Sequence, residues 1–182
     1  MRARAPTITP PRLNSRCTAF YTSTVTVATA VGFAFLSLAA LLVAGDPIDA
    51  RRALGWAAGG YIVTGLAPAR GLPPELPGMQ AADLLDRQVW WIGTAVATAA
   101  GLWLALRSSG LALPALGVAL LVLPHVIGAP HPATAEASGV PAELAARFVT
   151  ASLVVHAVLW ALTGALVGWV WQRNESSAVA EA

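Results

Sequence analysis

The chain has 182 residues, 57% of them hydrophobic and only 11% charged, against roughly 25% charged in an ordinary soluble domain. A soluble domain of this length could not hide so much apolar surface in one core, so the composition places the chain in a lipid bilayer. The formal net charge is only +2, the basic residues are all Arg, and Arg2, Arg4, Arg12 and Arg16 crowd the start. That distribution describes a basic juxtamembrane tail and excludes a nucleic-acid-binding surface.

Residues 1–18 form that tail. The apolar run that follows, residues 19–44, is longer than the roughly 7–15 residues of a signal-peptide core and is read as a retained transmembrane helix. Its first part is rich in threonine (Thr22, Thr24, Thr26, Thr29), whose hydroxyls can bond back to helix carbonyls and so enter lipid. Cys17 is the single cysteine, which excludes an internal disulfide and any cysteine-based metal cluster. Gly45-Asp46-Pro47 ends the run.

A second span is expected over residues 53–69. It is about 17 residues long, at the short limit for crossing a bilayer, and Gly55, Gly59, Gly60 and Gly65 interrupt it. Small residues allow close helix packing, and a short glycine-rich helix is also the signature of an irregular or broken one. The loop over residues 70–87 contains Pro73, Pro74 and Pro77, which exclude a helix there. Residues 81–87 read as a helical lead-in, with Asp83 and Arg87 spaced to pair.

The third span is expected over residues 88–106, with Trp90 and Trp91 at one end and Trp103 and Arg107 at the other, the aromatic belt of a membrane helix. A fourth, residues 111–129, contains Pro114 and Pro124. A second irregular loop carries Pro130, His131, Pro132 and Glu136. Pro141 suits a helix start, Glu143 and Arg147 are spaced to pair, and a fifth span covers residues 148–172. Gly164-x-x-x-Gly168 offers it a close-packing face. The residues from 173 to 182 read as a polar, disordered tail. The expected fold is therefore an all-α integral membrane bundle of about five transmembrane helices, the second short or irregular. With five spans both proline-rich loops share one side, and the Arg count favours an inside N-terminus, a margin supplied by the tail.

Few residues can carry chemistry. His125, His131 and His156 all lie in the last two spans and the loop between them. His156 falls about ten residues into its span, roughly 15 Å deep, near the bilayer centre. Ionisable groups inside a membrane are costly and carry a functional hypothesis by default. Imidazole suits Co, Ni, Zn and Cu, whereas Mg or Ca prefer oxygen. The three histidines could line one route from surface to midplane, with Glu75 and Asp83 of the loop gathering a cation at its mouth. The other reading is structural: packed, hydrogen-bonded histidines, carboxylates that cap helix ends, and turn chemistry at Asp46 and Asp49. A lipid-acting enzyme would need an acid–base pair, for which Glu136 with His131 is a weak candidate. No nucleotide-binding or protease motif is present, and the chain is not read as an enzyme.

Two stretches carry a resemblance. Gly71-Leu72-Pro73-Pro74-Glu75-Leu76-Pro77-Gly78, Ala81-Ala82-Asp83 and Arg87-Gln88-x-Trp90-Trp91 form the first. Leu123-Pro124-His125-x-Ile127-Gly128-Ala129-Pro130 and Ala145-Ala146-Arg147-Phe148 form the second. Together they resemble the CbtA family of probable cobalt transporter subunits over residues 50–172. The resemblance implies cobalt, or else nickel, passing the bacterial inner membrane in connection with cobalamin synthesis. It implies no permanently bound cofactor and a small, single-span, His-rich companion subunit similar to CbtB. It also singles out Glu75, Asp83 and His125, which sit inside the matching stretches. Family members begin with a further apolar helix, where this chain has a Pro- and Arg-rich tail. A bundle of five spans encloses little interior, so self-association or a partner is expected.

Overall fold

The computed structural model describes residues 15–132 and 139–180. Its elements are α1 (Ser15–Ala44), α2 (Ala50–Tyr61), a π-helical turn (Ile62–Leu66), a closing turn α3 (Ala67–Ala69), α4 (Leu84–Arg107), α5 (Ala112–Ile127) and α6 (Ala142–Ala180), with no strand among the described residues. The fold is an all-helical membrane bundle. By length and composition Arg16–Ala44, Leu84–Arg107 and Ala142–Ser177 can each cross a bilayer, and α5 is a shorter apolar helix.

The expected second span is one continuous rod over residues 50–69, because Tyr61, Ile62, Leu66 and Ala67 all keep right-handed helical dihedrals. Its irregularity is the π turn, and the cause is local. Pro68 has no N–H for the carbonyl of Thr64 four residues back, and its ring crowds that carbonyl. The rod widens by one residue ahead of it, and the amide of Ala67 bonds to the carbonyl of Ile62.

Inside lipid the helices cannot be driven together by hydrophobicity alone, so they meet where small residues let backbones approach. α2 packs mainly on α6, and α4 mainly on α5. On the first pair, a Cβ at Gly164 would stand 2.5 Å from the Cβ of Ala57, and one at Gly168 2.5 Å from the Cα of Ala50. On the second, Gly101 and Gly117 each face the other's carbonyl oxygen, at 2.7 and 2.6 Å from a built Cβ. Leu41, Ile48 and Ala53 form the small buried core where α1 joins the first pair. Thr24, Thr26 and Thr29 donate to the carbonyls four residues back, as their composition suggested.

The helix ends correct the sequence reading in one place. The stretch from residue 173 is helical to Ala180. The Arg173 guanidinium lies 4.8 Å over the Trp169 ring, and Ser176 and Ser177 donate to the carbonyls of Gln172 and Arg173. With neither Gly nor Pro after Trp171, nothing stops α6 where it leaves the apolar layer. α5 does stop, at Gly128, whose φ of 88° and ψ of 152° form a conformation that essentially only glycine enters.

Gly168→Leu should wedge α6 off the α2 backbone and lower the melting temperature in detergent, at an overpacking cost of about 1–3 kcal/mol. Gly59→Ala, which meets nothing within 4 Å, should leave the melting temperature unchanged or raise it, a gain in stability of up to about 1 kcal/mol.

Candidate functional site

The π turn places Thr64 against α6. The Thr64 hydroxyl lies 2.8 Å from the Gly60 carbonyl and 3.2 Å from Nε2 of His156. Trp160 sits one turn beyond His156 on the same face, and its indole N–H reaches both Nε2 of His156 at 2.9 Å and Oγ1 of Thr64 at 3.0 Å. An indole N–H only donates, so Nε2 of His156 acts as acceptor and the neutral ring carries its proton on Nδ1. Gly60 makes room for this arrangement, since a Cβ there would overlap the Trp160 ring.

Aromatic rings close the cluster. Phe33 of α1 stacks on Trp160, with centroids 4.4 Å apart and planes 15° apart, and lies 5.9 Å from the His156 ring. Tyr61 approaches the same imidazole at 5.9 Å. His156 is half-buried, and Trp160 is only 4% exposed.

A cavity of about 750 Å³ runs from the proline-rich loop to this cluster. Leu72, Pro73 and Pro74 line its loop end together with Leu84 and Arg87 of α4, while Thr64 and His156 line its deep end. Arg87 pairs with Glu75, NH2 to Oε2, at 2.9 Å, with both side chains largely covered.

The structure therefore disperses the residues singled out in the sequence. His156 lies in the cavity. His125, in the last turn of α5, stands edge-on to Trp90 with centroids 6.2 Å apart and does not line the cavity. His131 is exposed in the following loop. Asp83 caps α4 by accepting the Leu85 amide at 2.8 Å. That leaves Arg87 to Glu75, where sequence spacing had paired it with Asp83; the expected Glu143–Arg147 pair does form, at 2.7 Å. Glu136 lies outside the described residues. Among the described residues no three His, Cys, Asp or Glu side chains converge on one metal position. The reason is chain geometry: α5 ends where His125 stands, whereas His156 sits fourteen residues inside α6, about 21 Å along its axis.

Sequence reasoning missed Thr64, Trp160 and Arg87 as parts of the site. Two signals were present: a Trp one turn after an intramembrane His, and a Pro four residues after a Thr in an apolar helix.

With this geometry in place the comparisons decide the family. Residues 10–172 match the family described as the probable cobalt transporter subunit, CbtA. The chain belongs to the CbtA family. No curated protein and no solved structure matches the chain. The family match makes the chain a probable cobalt transporter subunit, and the word subunit implies a partner.

At the end of the bundle away from the cavity, the CbtA chain is held by a second cluster. Asp46 Oδ2 accepts from Arg107 at 2.7 Å and from the Trp56 indole at 3.1 Å, and Arg52 stands 3.7 Å from Oδ1. Arg107 also donates to the Ala44 carbonyl at 3.0 Å and lies 5.2 Å over the Trp103 ring. The hydrogen bond from Arg107, then that from Trp56, holds the Asp46 carboxyl below its ordinary value of 3.8. A depressed folded-state pKa means that the stabilisation is complete above the unfolded value and is lost as pH falls through the folded one. Melting temperature followed from neutrality to about pH 3 should therefore drop on the acid side. Asp46→Asn should start from a lower melting temperature and lose that part of the acid dependence. An unchanged acid limb in the variant would remove Asp46 as its source.

Proposed function

We propose that this chain passes cobalt, and secondarily nickel, across the bacterial inner membrane in support of cobalamin synthesis, with a small His-rich single-span companion. Its multi-pass body comprises five spans: the three long helices, the rod over residues 50–69, and α5. The observation that carries the reading is His156, an imidazole within a candidate membrane span that lines the same cavity as the proline-rich loop.

The chemistry fits a borderline divalent ion. Imidazole nitrogen favours the later first-row metals over Mg or Ca. The Nε2 lone pair of His156 is engaged by the Trp160 N–H at 2.9 Å, so an ion must displace that bond to be held. A single imidazole gained at the loss of a hydrogen bond holds an ion weakly, and conduction needs a site that is weak enough to leave. Glu75 and Asp83 gather the ion on the loop side. Glu75 does so by exchanging its Arg87 partner for the metal. His125, in the last turn of α5, and His131, exposed in the loop after it, serve as further ligands outside the cavity. The cobalt ion is cargo, and the chain needs no resident cofactor for this role. Any energy source lies in an ion gradient or another subunit.

The test is uptake of radiolabelled cobalt by cells expressing the chain with its companion. His156→Ala should lower uptake on the order of tenfold or more, and His131→Ala, an exposed loop change, should have a smaller effect. Unchanged uptake in His156→Ala and His125→Ala at matched expression would return both histidines to packing. A wild-type chain inactive even with its companion would favour a structural or assembly role.

A further inference from the structure

One stripe of α4 is spaced by alternating three and four residues: Leu84, Arg87, Trp91, Thr94, Thr98 and Gly101. Such positions lie on a single helix face. The first three line the cavity. The next three are buried, with Thr94 at 1% and Thr98 at 0% exposure. The face that borders the cavity thus continues past it, and Thr98 lies seven residues beyond Trp91, about 10 Å deeper.

The two hydroxyls on that continuation are unusual. A threonine inside a helix commonly returns its hydroxyl to the carbonyl four residues back, as Thr64, Thr150 and Thr163 do here. Thr94 and Thr98 do not. Their Oγ1 atoms are enclosed and have no hydrogen-bond partner in the protein, and the same holds for Nε of Arg87 and Nε1 of Trp90 on the neighbouring turn. A dry, unpaired hydroxyl costs the full desolvation of its polar atom. Four such atoms follow one another along the same side of one helix, beginning at a residue that lines the cavity.

We propose that the cavity continues as a water-binding pocket along α4 to Thr98, and that a hydrated divalent cation uses it to move on from the level of His156. The water pocket stands on the stripe and its unpaired hydroxyls; the cation rests on the cobalt-transport reading. Hydroxyls suit this ligand because each can accept from one water and donate to another, while carrying no charge that would trap the ion. The alternative course between α2 and α6 is filled, since Gly164 and Gly168 bring α6 onto the backbone of Ala53 and Ala50. Gly101, at the far end of the stripe, abuts the Gly117 carbonyl, so α5 covers the stripe there.

The lone cysteine makes the test direct: in a Cys17→Ser background, Thr94, Thr98 or Thr163 is changed to Cys and membranes are treated with a small cationic methanethiosulfonate. Thr163 is the control, 4% exposed and hydrogen-bonded to the Leu159 carbonyl. The reagent needs thiolate, which forms only where water reaches the sulfur. Thr94→Cys and Thr98→Cys should react about tenfold faster than Thr163→Cys or more, equivalent to one unit of thiol pKa. Rates no higher than the control would overturn the pocket. A companion series reads the cation: Thr98→Val should lower cobalt uptake and Thr98→Ser should restore it. Full uptake in Thr98→Val would remove the passage, while a reactive thiol in Thr98→Cys would keep the water. Absent wild-type uptake alongside a reactive Thr98→Cys variant would count against cobalt transport alone.

Discussion

Pro68 denies the Thr64 carbonyl an amide partner, in a medium where every backbone polar group has to be satisfied within the protein. The rod over residues 50–69 absorbs that defect as a π turn, which shifts the helix face by one residue. Thr64 then meets α6, where His156 and Trp160 complete a three-membered hydrogen-bond set. Gly60, one turn earlier, vacates the space for the indole ring. A polar group in lipid is tolerable when it is paired, and this cluster pairs three at once.

The cluster also depends on how the bundle is divided. Small residues join α2 to α6 and α4 to α5 backbone to backbone, so each pair is close-packed. Between the pairs the contact is of another kind. Arg87 near the start of α4 holds Glu75, which follows α3, and Arg107 at its end holds Asp46, which precedes α2. Two Arg–carboxylate pairs thus fasten the two ends of α4 to the flanks of the neighbouring rod, and the cavity lies between that rod, α4 and α6 near the first of them. Guanidinium is suited to this, being always charged and able to reach two acceptors, as Arg107 does with Asp46 and the Ala44 carbonyl.

Much of this frame was legible in the sequence because lipid imposes strong rules. The long apolar runs, the Gly164/Gly168 face, the irregular second span and the place of His156 inside a long apolar helix all follow from residue type and spacing. What escaped depends on contacts across the chain. Glycine spacing alone marks Gly55 and Gly59 as weak points of the second span, but both sit in an ordinary helix facing open space, and the irregularity lies where Pro68 put it. Arg87 sits four residues after Asp83, yet Asp83 turned to cap its own helix and Glu75 arrived from the loop. Asp46 read as turn chemistry because its partners Arg107 and Trp56 come from elsewhere in the chain.

The electrostatics of the cavity bear on how a cation could use it. Its charged lining residue is Arg87, neutralised by Glu75 at 2.9 Å, and its deep end offers an uncharged imidazole. A free divalent ion therefore meets no standing negative charge inside, in contrast to sites built to retain Ca or Mg with clustered carboxylates. Retention would defeat passage, because an ion bound by several anionic oxygens in a low dielectric leaves slowly. On the transport reading, exchange at Glu75 would supply attraction at the loop, and nitrogen at His156 would supply preference further in. On the transport reading this separation lets one small bundle choose a later transition metal without holding on to it.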